Sequence, residues 1–358
     1  MKIKLFQPHI GIEEKNAIQK TLDSKFWASG QGVGSVEKFE NKFKKYVDSD
    51  VCIAVNSGTA ALNLAISLLE IKNKEVILPS LSFVSTANAV LLNGGIPIFA
   101  EVDEKTLCLD PSSIEKSITK NTKLILPVHF GGYPSNLKEI KKIALKHDCT
   151  IIEDAAHAVG TKYDNKKIGK HTFASCFSFH PVKNLAMPTG GLISINHPRY
   201  KSFEKKLKSL RWCGITDRKS TIYDVKELGN NYYMNEFSAA LGLVQLKKIE
   251  KLTKIRQKIA MRYFKELKID KKMPFDKDCS YHLYWIRSKN RKKLQKLLKR
   301  SGIETGNHYS PIHKFSLYKN NVSLPLTEKI GDEIITIPIH PNLTNNQITK
   351  IIKIINKN

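Results

Sequence analysis

The sequence has no uninterrupted apolar run near the twenty or so residues that a membrane helix needs, so no span is expected. Its first residues, "MKIKLFQPHIGIEEK", hold no long apolar block, so no signal peptide is read there. The six cysteines are scattered and no two form a C-x-x-C pair, which argues against a disulfide framework or a zinc site and fits a reducing, cytoplasmic setting. There is no Walker loop, because no glycine-rich stretch ends in Gly-Lys-Ser/Thr. There is no arginine-rich tail, no zinc-finger spacing and no basic stretch interleaved with aromatics, and no internal repeat.

Positive charge is abundant: the formal net charge is +26 over 358 residues. Such an excess raises the question of a polyanionic partner. The lysines, however, fall in segments such as "KEIKKIALKH", "KSFEKKLKSLR" and "NRKKLQKLLKR", which read as polar faces of amphipathic helices. No nucleic-acid or membrane partner is therefore expected. Hydrophobic residues make up 41% of the chain, ordinary for a globular protein with a sizeable core.

Strand and helix signals alternate through the first two-thirds. "VCIAVNSG" reads as a strand running into a turn, and "EVILPS", "IPIFAEV", "TKLILPVHF" and "TIIEDAA" as further strand segments, apolar on both faces, with helical segments between them. This pattern predicts an α/β fold, a large domain whose mostly parallel central sheet is flanked by helices. From about residue 246 a long basic amphipathic helix and shorter elements predict a smaller C-terminal α+β domain. The expected division is 1–245, with an N-terminal arm, and 246–358.

Three stretches carry chemistry. In "VNSGTAALNLAI" a strand meets a Ser-Gly-Thr turn and then a helix. Unpaired helix N–H groups there, with Gly58 allowing close approach and Ser57 and Thr59 adding hydroxyls, suit an anion such as phosphate, although a plain N-cap reads the same way. In "TIIEDAAHAVG" Asp154 ends a buried strand, where α/β folds place ligands, and an N-cap is the equal alternative. In "SFHPVKN" Lys183 follows another strand. Partial desolvation there would lower its pKa and make its amine a nucleophile toward an aldehyde, against the alternative of one more surface lysine. Together, a phosphate cup, a strand-end acid and a strand-end lysine are the parts a pyridoxal phosphate site requires.

With these stretches in view, the sequence resembles the DegT/DnrJ/EryC1/StrS sugar aminotransferases, of pyridoxal phosphate fold type I. The resemblance runs in order through "NSGTAALNLA", "LPSLSFVSTANAVLLNGGIPIFAEVD", "IIEDAAHAVG", "SFHPVKN", "LGNNYYMNEFSAALGLVQL", "YHLYWIR" and "HYSPIH". It implies pyridoxal 5'-phosphate held by Lys183, with Asp154 against the pyridine nitrogen and His157 near the ring oxygen. It implies Gly58, Thr59 and Ser178 on the phosphate and Phe83 stacked on the ring. Asn231 would reach the phosphate of a neighbouring subunit, implying a homodimer with shared sites. His308, Tyr309 and His313 would lie near the mouth that admits a sugar nucleotide. The implied reaction moves an amino group from an amino acid, L-glutamate giving 2-oxoglutarate, to a nucleotide-linked keto sugar, at C4 rather than C3. A dehydratase of the same family and an inactive binding relative are the alternatives, and the lysine argues against both. The chain departs from the family in reading Pro188-Thr189-Gly190-Gly191 where a glutamate is usual, and Asn230-Asn231-Tyr232-Tyr233 where an arginine is usual.

Overall fold

The structure is a computed structural model and describes residues 2–319 and 322–357. Two helices, α1 (Ile12–Asp23) and α2 (Ser35–Val47), precede an alternating series. The series is β1 (Val51–Val55), α3 (Gly58–Ile66), β2 (Glu75–Pro79), α4 (Ser85–Leu92), β3 (Ile96–Ala100), α5 (Pro111–Ser117), β4 (Thr122–Ile125), α6 (Leu137–Lys146) and β5 (Thr150–Asp154). A short ribbon, β6 (Lys162–Tyr163) and β7 (Lys166–Lys167), leads to β8 (Ala174–Ser178) and β9 (Gly191–Ile195). Next come α7 (Tyr200–Leu210), a hairpin of β10 (Ile215–Lys219) and β11 (Ile222–Val225), and α8 (Glu236–Glu266). The chain closes with β12 (Tyr284–Arg287), α9 (Arg291–Arg300), α10 (Pro325–Glu333), β13 (Ile334–Ile337) and α11 (Asn345–Asn356).

Seven strands form the central sheet in the order β1-β9-β8-β5-β4-β2-β3. β9 runs antiparallel to both of its neighbours, and the remaining pairings are parallel. β1, β2, β5 and β8 therefore point the same way and bring their carboxyl ends to one edge. The expected α/β architecture holds, and its physical basis is plain in the burial. β1, β8 and β9 are buried along their whole length, which only a sheet covered on both faces allows. α2 lays Phe39, Phe43 and Val47 on one of those faces, and Phe43 meets Phe177 edge-on at 5.0 Å between centroids.

The end of β1 is fixed from behind by a buried ion pair between Arg211 and Glu40. Arg211 Nη1 donates to the Ala54 carbonyl at 3.0 Å, and Glu40 accepts from the Ala54 amide at 2.8 Å. This matters because Asn56, Ser57 and Gly58 follow directly.

α8 is one helix of 31 residues, capped by Asn235, whose side chain accepts from the Ser238 amide at 2.8 Å. It begins ten residues before the basic segment read from the sequence and runs without a break across residue 245. Its first half packs on α1 and α2. Its second half sends Ile259, Ala260 and Tyr263 into a separate core with Tyr284, Trp285, Ile335 and Ile351. β12 and β13 pair antiparallel at the centre of that core. Ile3 belongs there too and bridges Ile303, so the N-terminal arm lies along the C-terminal elements.

Candidate active site

A cavity of about 370 Å³ opens at the carboxyl edge of the sheet. Ser57, Gly58, Thr59, Phe83, Asp154, His157, Ser178, Lys183, His308 and Tyr309 all line it, so ten of the twelve residues singled out from the sequence come together.

At one end lies the start of α3. Ser57 caps it, accepting from the Ala60 amide at 3.1 Å. The amides of Gly58 and Thr59 then have no acceptor among the described residues, as expected for the first turn of a helix. Ser178, the last residue of β8, packs so close that a Cβ on residue 58 would sit 2.7 Å from its Cβ. Gly191 permits the same approach from β9, since a Cβ there would lie 2.2 Å from the Ser57 carbonyl oxygen. Two unpaired amides and the hydroxyls of Thr59 and Ser178 thus face one small space beside a helix N-terminus, a setting suited to a phosphate dianion. Gly58→Ala is expected to push into this cup. It should weaken cofactor binding at least about tenfold and cost about 1–3 kcal/mol of stability, read by a binding titration and by thermal denaturation.

Asp154, at the end of β5, is buried at 4% exposure. It accepts from Thr86 Oγ1 at 2.8 Å through Oδ2 and from the Ala156 amide at 3.1 Å through Oδ1. Thr86 is itself joined to Ser82 at 2.9 Å. Burial raises the Asp154 pKa, while Thr86, the Ala156 amide and the charge of Lys183 pull it back. Both hydrogen-bond donors are neutral, so the carboxylate has spare capacity for a cation. A protonated pyridine nitrogen would supply one.

Lys183 is half-buried, five residues beyond β8. Burial lowers its pKa to about 8, with Asp154 opposing the shift. Among the described residues its amine makes one hydrogen-bond contact, 3.5 Å to His282 Nε2. The apoprotein is expected to take up an aldehyde at a rate that rises about tenfold per pH unit below 8 and levels above it, because the free amine is the attacking species. Stopped-flow absorbance across pH 6–10 reads that midpoint; an exposed lysine would put it near 10.4.

His157 is buried, and burial together with Lys183 holds it well below its usual pKa, so it is neutral. Its Nδ1 accepts from the Gly131 amide at 3.2 Å. The ring proton therefore sits on Nε2, which donates to Tyr309 Oη at 3.2 Å. The His157 and Tyr309 rings stack at 6.0 Å. His308 Nδ1 contacts Thr336 Oγ1 at 2.7 Å, and burial with the Lys183 charge lowers its pKa to about 4. Phe83 is 55% exposed and turns its ring toward the cavity, 6.1 Å from Tyr309. That exposure fits a flat apolar face awaiting a partner.

Two sequence candidates lie elsewhere. His313 is buried, with Nδ1 at 2.6 Å from Ser80 Oγ and Nε2 at 3.3 Å from Glu328, so both ring nitrogens are engaged away from the cavity. Asn231 is exposed and lines an adjoining recess with Asn56, Ser57 and Thr189. Its carbonyl accepts from Asn56 Nδ2 at 3.1 Å within the same chain. Conversely, Thr86, Ser82 and His282 belong to the site and were not read from the sequence. Thr86 lies in the first turn of α4 and His282 in "YHLYWIR", and neither segment marks its residue as chemical.

The pattern of the DegT/DnrJ/EryC1/StrS aminotransferase family matches residues 8–356. The chain belongs to that family. The aminotransferase is 33% identical to the uncharacterized protein MJ1066 of Methanocaldococcus jannaschii over 98% of this chain and 96% of that one. Among solved structures it is similar to Helicobacter pylori PseC, an aminotransferase involved in the biosynthesis of pseudoaminic acid. The TM-score is 0.93 at 29% identity, covering 100% of this chain and 99% of PseC. It is also similar to the PMP form of Spr1654 of Streptococcus pneumoniae, provisionally described as a sugar aminotransferase. There the TM-score is 0.94 at 25% identity, covering 100% and 97% of the two chains. The fold is that of pyridoxal phosphate fold type I, and the cofactor of the family is pyridoxal 5'-phosphate. The cup, the buried acid and the lysine of this cavity fit that group at its phosphate, ring nitrogen and aldehyde. Among the described residues, no helix is long and apolar enough to cross a membrane.

Proposed function

We propose that this sugar aminotransferase carries nitrogen from L-glutamate to C4 of a nucleotide-linked keto sugar, in the cytoplasm, as a homodimer with shared sites. The product would be an amino sugar for a surface polysaccharide or related glycan. The observation that carries the reading is a single cavity holding a lysine of lowered pKa, a buried acid with neutral donors and a helix N-terminus with free amides.

When bound, pyridoxal 5'-phosphate supplies an aldehyde for the amino group and a ring that accepts electrons. The residues do the rest. Gly58, Thr59 and Ser178 anchor the phosphate and fix the depth of binding. Asp154 keeps the ring nitrogen protonated, and Thr86 holds its carboxylate in place. Phe83, whose ring faces the cavity, would cover one face of the ring and exclude water from it. Lys183 would hold the cofactor at its aldehyde, and its amine, when free, would take a proton from the substrate carbon and later give it back. His157, neutral with its proton on Nε2, orients Tyr309 at the edge of the site. His308 and Tyr309 face the space left for the sugar. Asn231 lies on the adjoining recess, where it would serve a second copy of the chain. The boundary between a large unit (1–245) and a small one (246–358) would fall along α8.

The test is a panel of UDP-, GDP- and dTDP-linked 3-keto and 4-keto sugars offered with glutamate, with products weighed by mass spectrometry. Amination of a 4-keto member supports the reading; amination of free keto sugars alone, or loss of water without gain of nitrogen, overturns it.

A further inference from the structure

We propose that His282 is a positioning residue for Lys183, with Nε2 accepting a hydrogen from the lysine whenever that amine carries its extra proton. The inference rests on the reading of Lys183 above. His282 is buried at 1% exposure, just before β12, and its Nε2 lies 3.5 Å from Lys183 Nζ. Its Nδ1 is buried with no hydrogen-bond partner among the described residues, so Lys183 is the one polar group the ring engages there. With the ring proton on Nδ1, the Nε2 lone pair is free to accept from the lysine.

The ring is also held in place. Phe6 of the N-terminal arm stacks on it at 5.7 Å and 17°. The ring of His157 lies 4.5 Å away on the cavity side. From α8, Arg256 Nη1 donates to the carbonyls of Tyr281 and Ile339, which pins the backbone one residue before His282. The charged and titratable groups acting on the imidazole are Lys183, His157, Arg256 and His308, and no carboxylate hydrogen-bonds to it among the described residues. Burial and these surrounding groups keep it neutral, able to accept at one nitrogen.

The consequence is directional. When the lysine amine takes a proton from the substrate carbon, a new N–H bond forms and the C–H electron pair stays with that carbon. One N–H of the resulting ammonium then points at His282 Nε2, which leaves the others facing the substrate. The ammonium returns its proton in the second half of the transfer. His282 neither gains nor loses a proton.

The test uses His282→Phe, His282→Asn and His282→Gln in the full chain. The first readout is the pH midpoint of aldehyde uptake by the apoprotein. Phe and Asn, which cannot reach Nζ, are expected to lower the midpoint by about one unit, a tenfold change in the amine–ammonium balance, whereas Gln, whose amide oxygen reaches the place of Nε2, stays near 8. The second is the split of kinetic constants. Phe and Asn should lower kcat about 10- to 100-fold with KM for the sugar unchanged, and Gln should restore most of it. If Phe does not fold, Asn and Gln carry the comparison. An unmoved midpoint in Asn, or equal loss of kcat in Asn and Gln, overturns the proposal. Because these readouts assume Lys183 is the reacting amine, turnover surviving in Lys183→Ala would instead indict the parent reading.

Discussion

Lys183→Ala is expected to lose at least about 10³-fold in turnover while remaining folded. Proton transfer by a placed base is worth about 10²- to 10⁴-fold by itself, and in the proposed reaction this residue would also supply the attacking amine. Stability should move the other way. The folded-state pKa of Lys183 is lowered to about 8, against roughly 10.4 for a free lysine in the unfolded chain. Between those values the unfolded chain binds more protons, so the lysine's contribution to stability rises with pH across that window. Below pH 8 both states are protonated, and the full cost of holding the ammonium in a partly desolvated site is present. Alanine removes that cost. Thermal denaturation of the apoprotein at pH 7 should give an equal or higher Tm for the variant, and its slope between about pH 8 and 10 should flatten. A variant that keeps its turnover would show that Lys183 is not the reacting amine, and one that unfolds would show that it holds the fold.

Asp154→Asn is expected to cost about 10²- to 10³-fold in kcat with cofactor still bound, because the phosphate cup is untouched while the negative charge is gone. The substitution keeps the shape of the side chain. Its amide oxygen can keep the Ala156 amide, and its NH2 can donate to Thr86 Oγ1 once that hydroxyl turns its hydrogen toward Ser82. Stability should therefore change little, which leaves the lost rate and the retained cofactor to be read apart. Equilibrium dialysis against pyridoxal 5'-phosphate, set beside steady-state kinetics, separates the two effects. A lost cofactor with an intact residual rate would contradict the role given to the acid.

Much of the sheet was legible because its strands are buried on both faces and carry unbroken apolar runs, as "VCIAV" and "TIIED" do. Asp154 stood out for the same reason, since it ends such a run, whereas Lys183, five residues beyond β8, was singled out only beside the cup and the acid. The start of α8 was missed because "EFSAALGLVQL" is small and apolar on every side. Both faces of that segment are covered, at Ala239, Ala240 and Gly242, so the polar stripe that announces a helix begins only at the lysines. Thr86 and His282 were out of reach for a different reason. Their partners lie 68 and 99 residues away, and no local pattern marks a contact made only by tertiary folding. His313 was placed at the mouth by its motif, yet Ser80 and Glu328 claim both of its nitrogens.

The unbroken course of α8 through both cores has a mechanical meaning. A stiff rod seated in two hydrophobic beds resists bending between them, so opening and shutting of the cleft by swinging its halves apart would have to break one bed or the other. Entry of a bulky sugar is thereby left to the arm bearing Phe6 and the loop at 305–318, which can be rebuilt in evolution without shifting the amine or the acid.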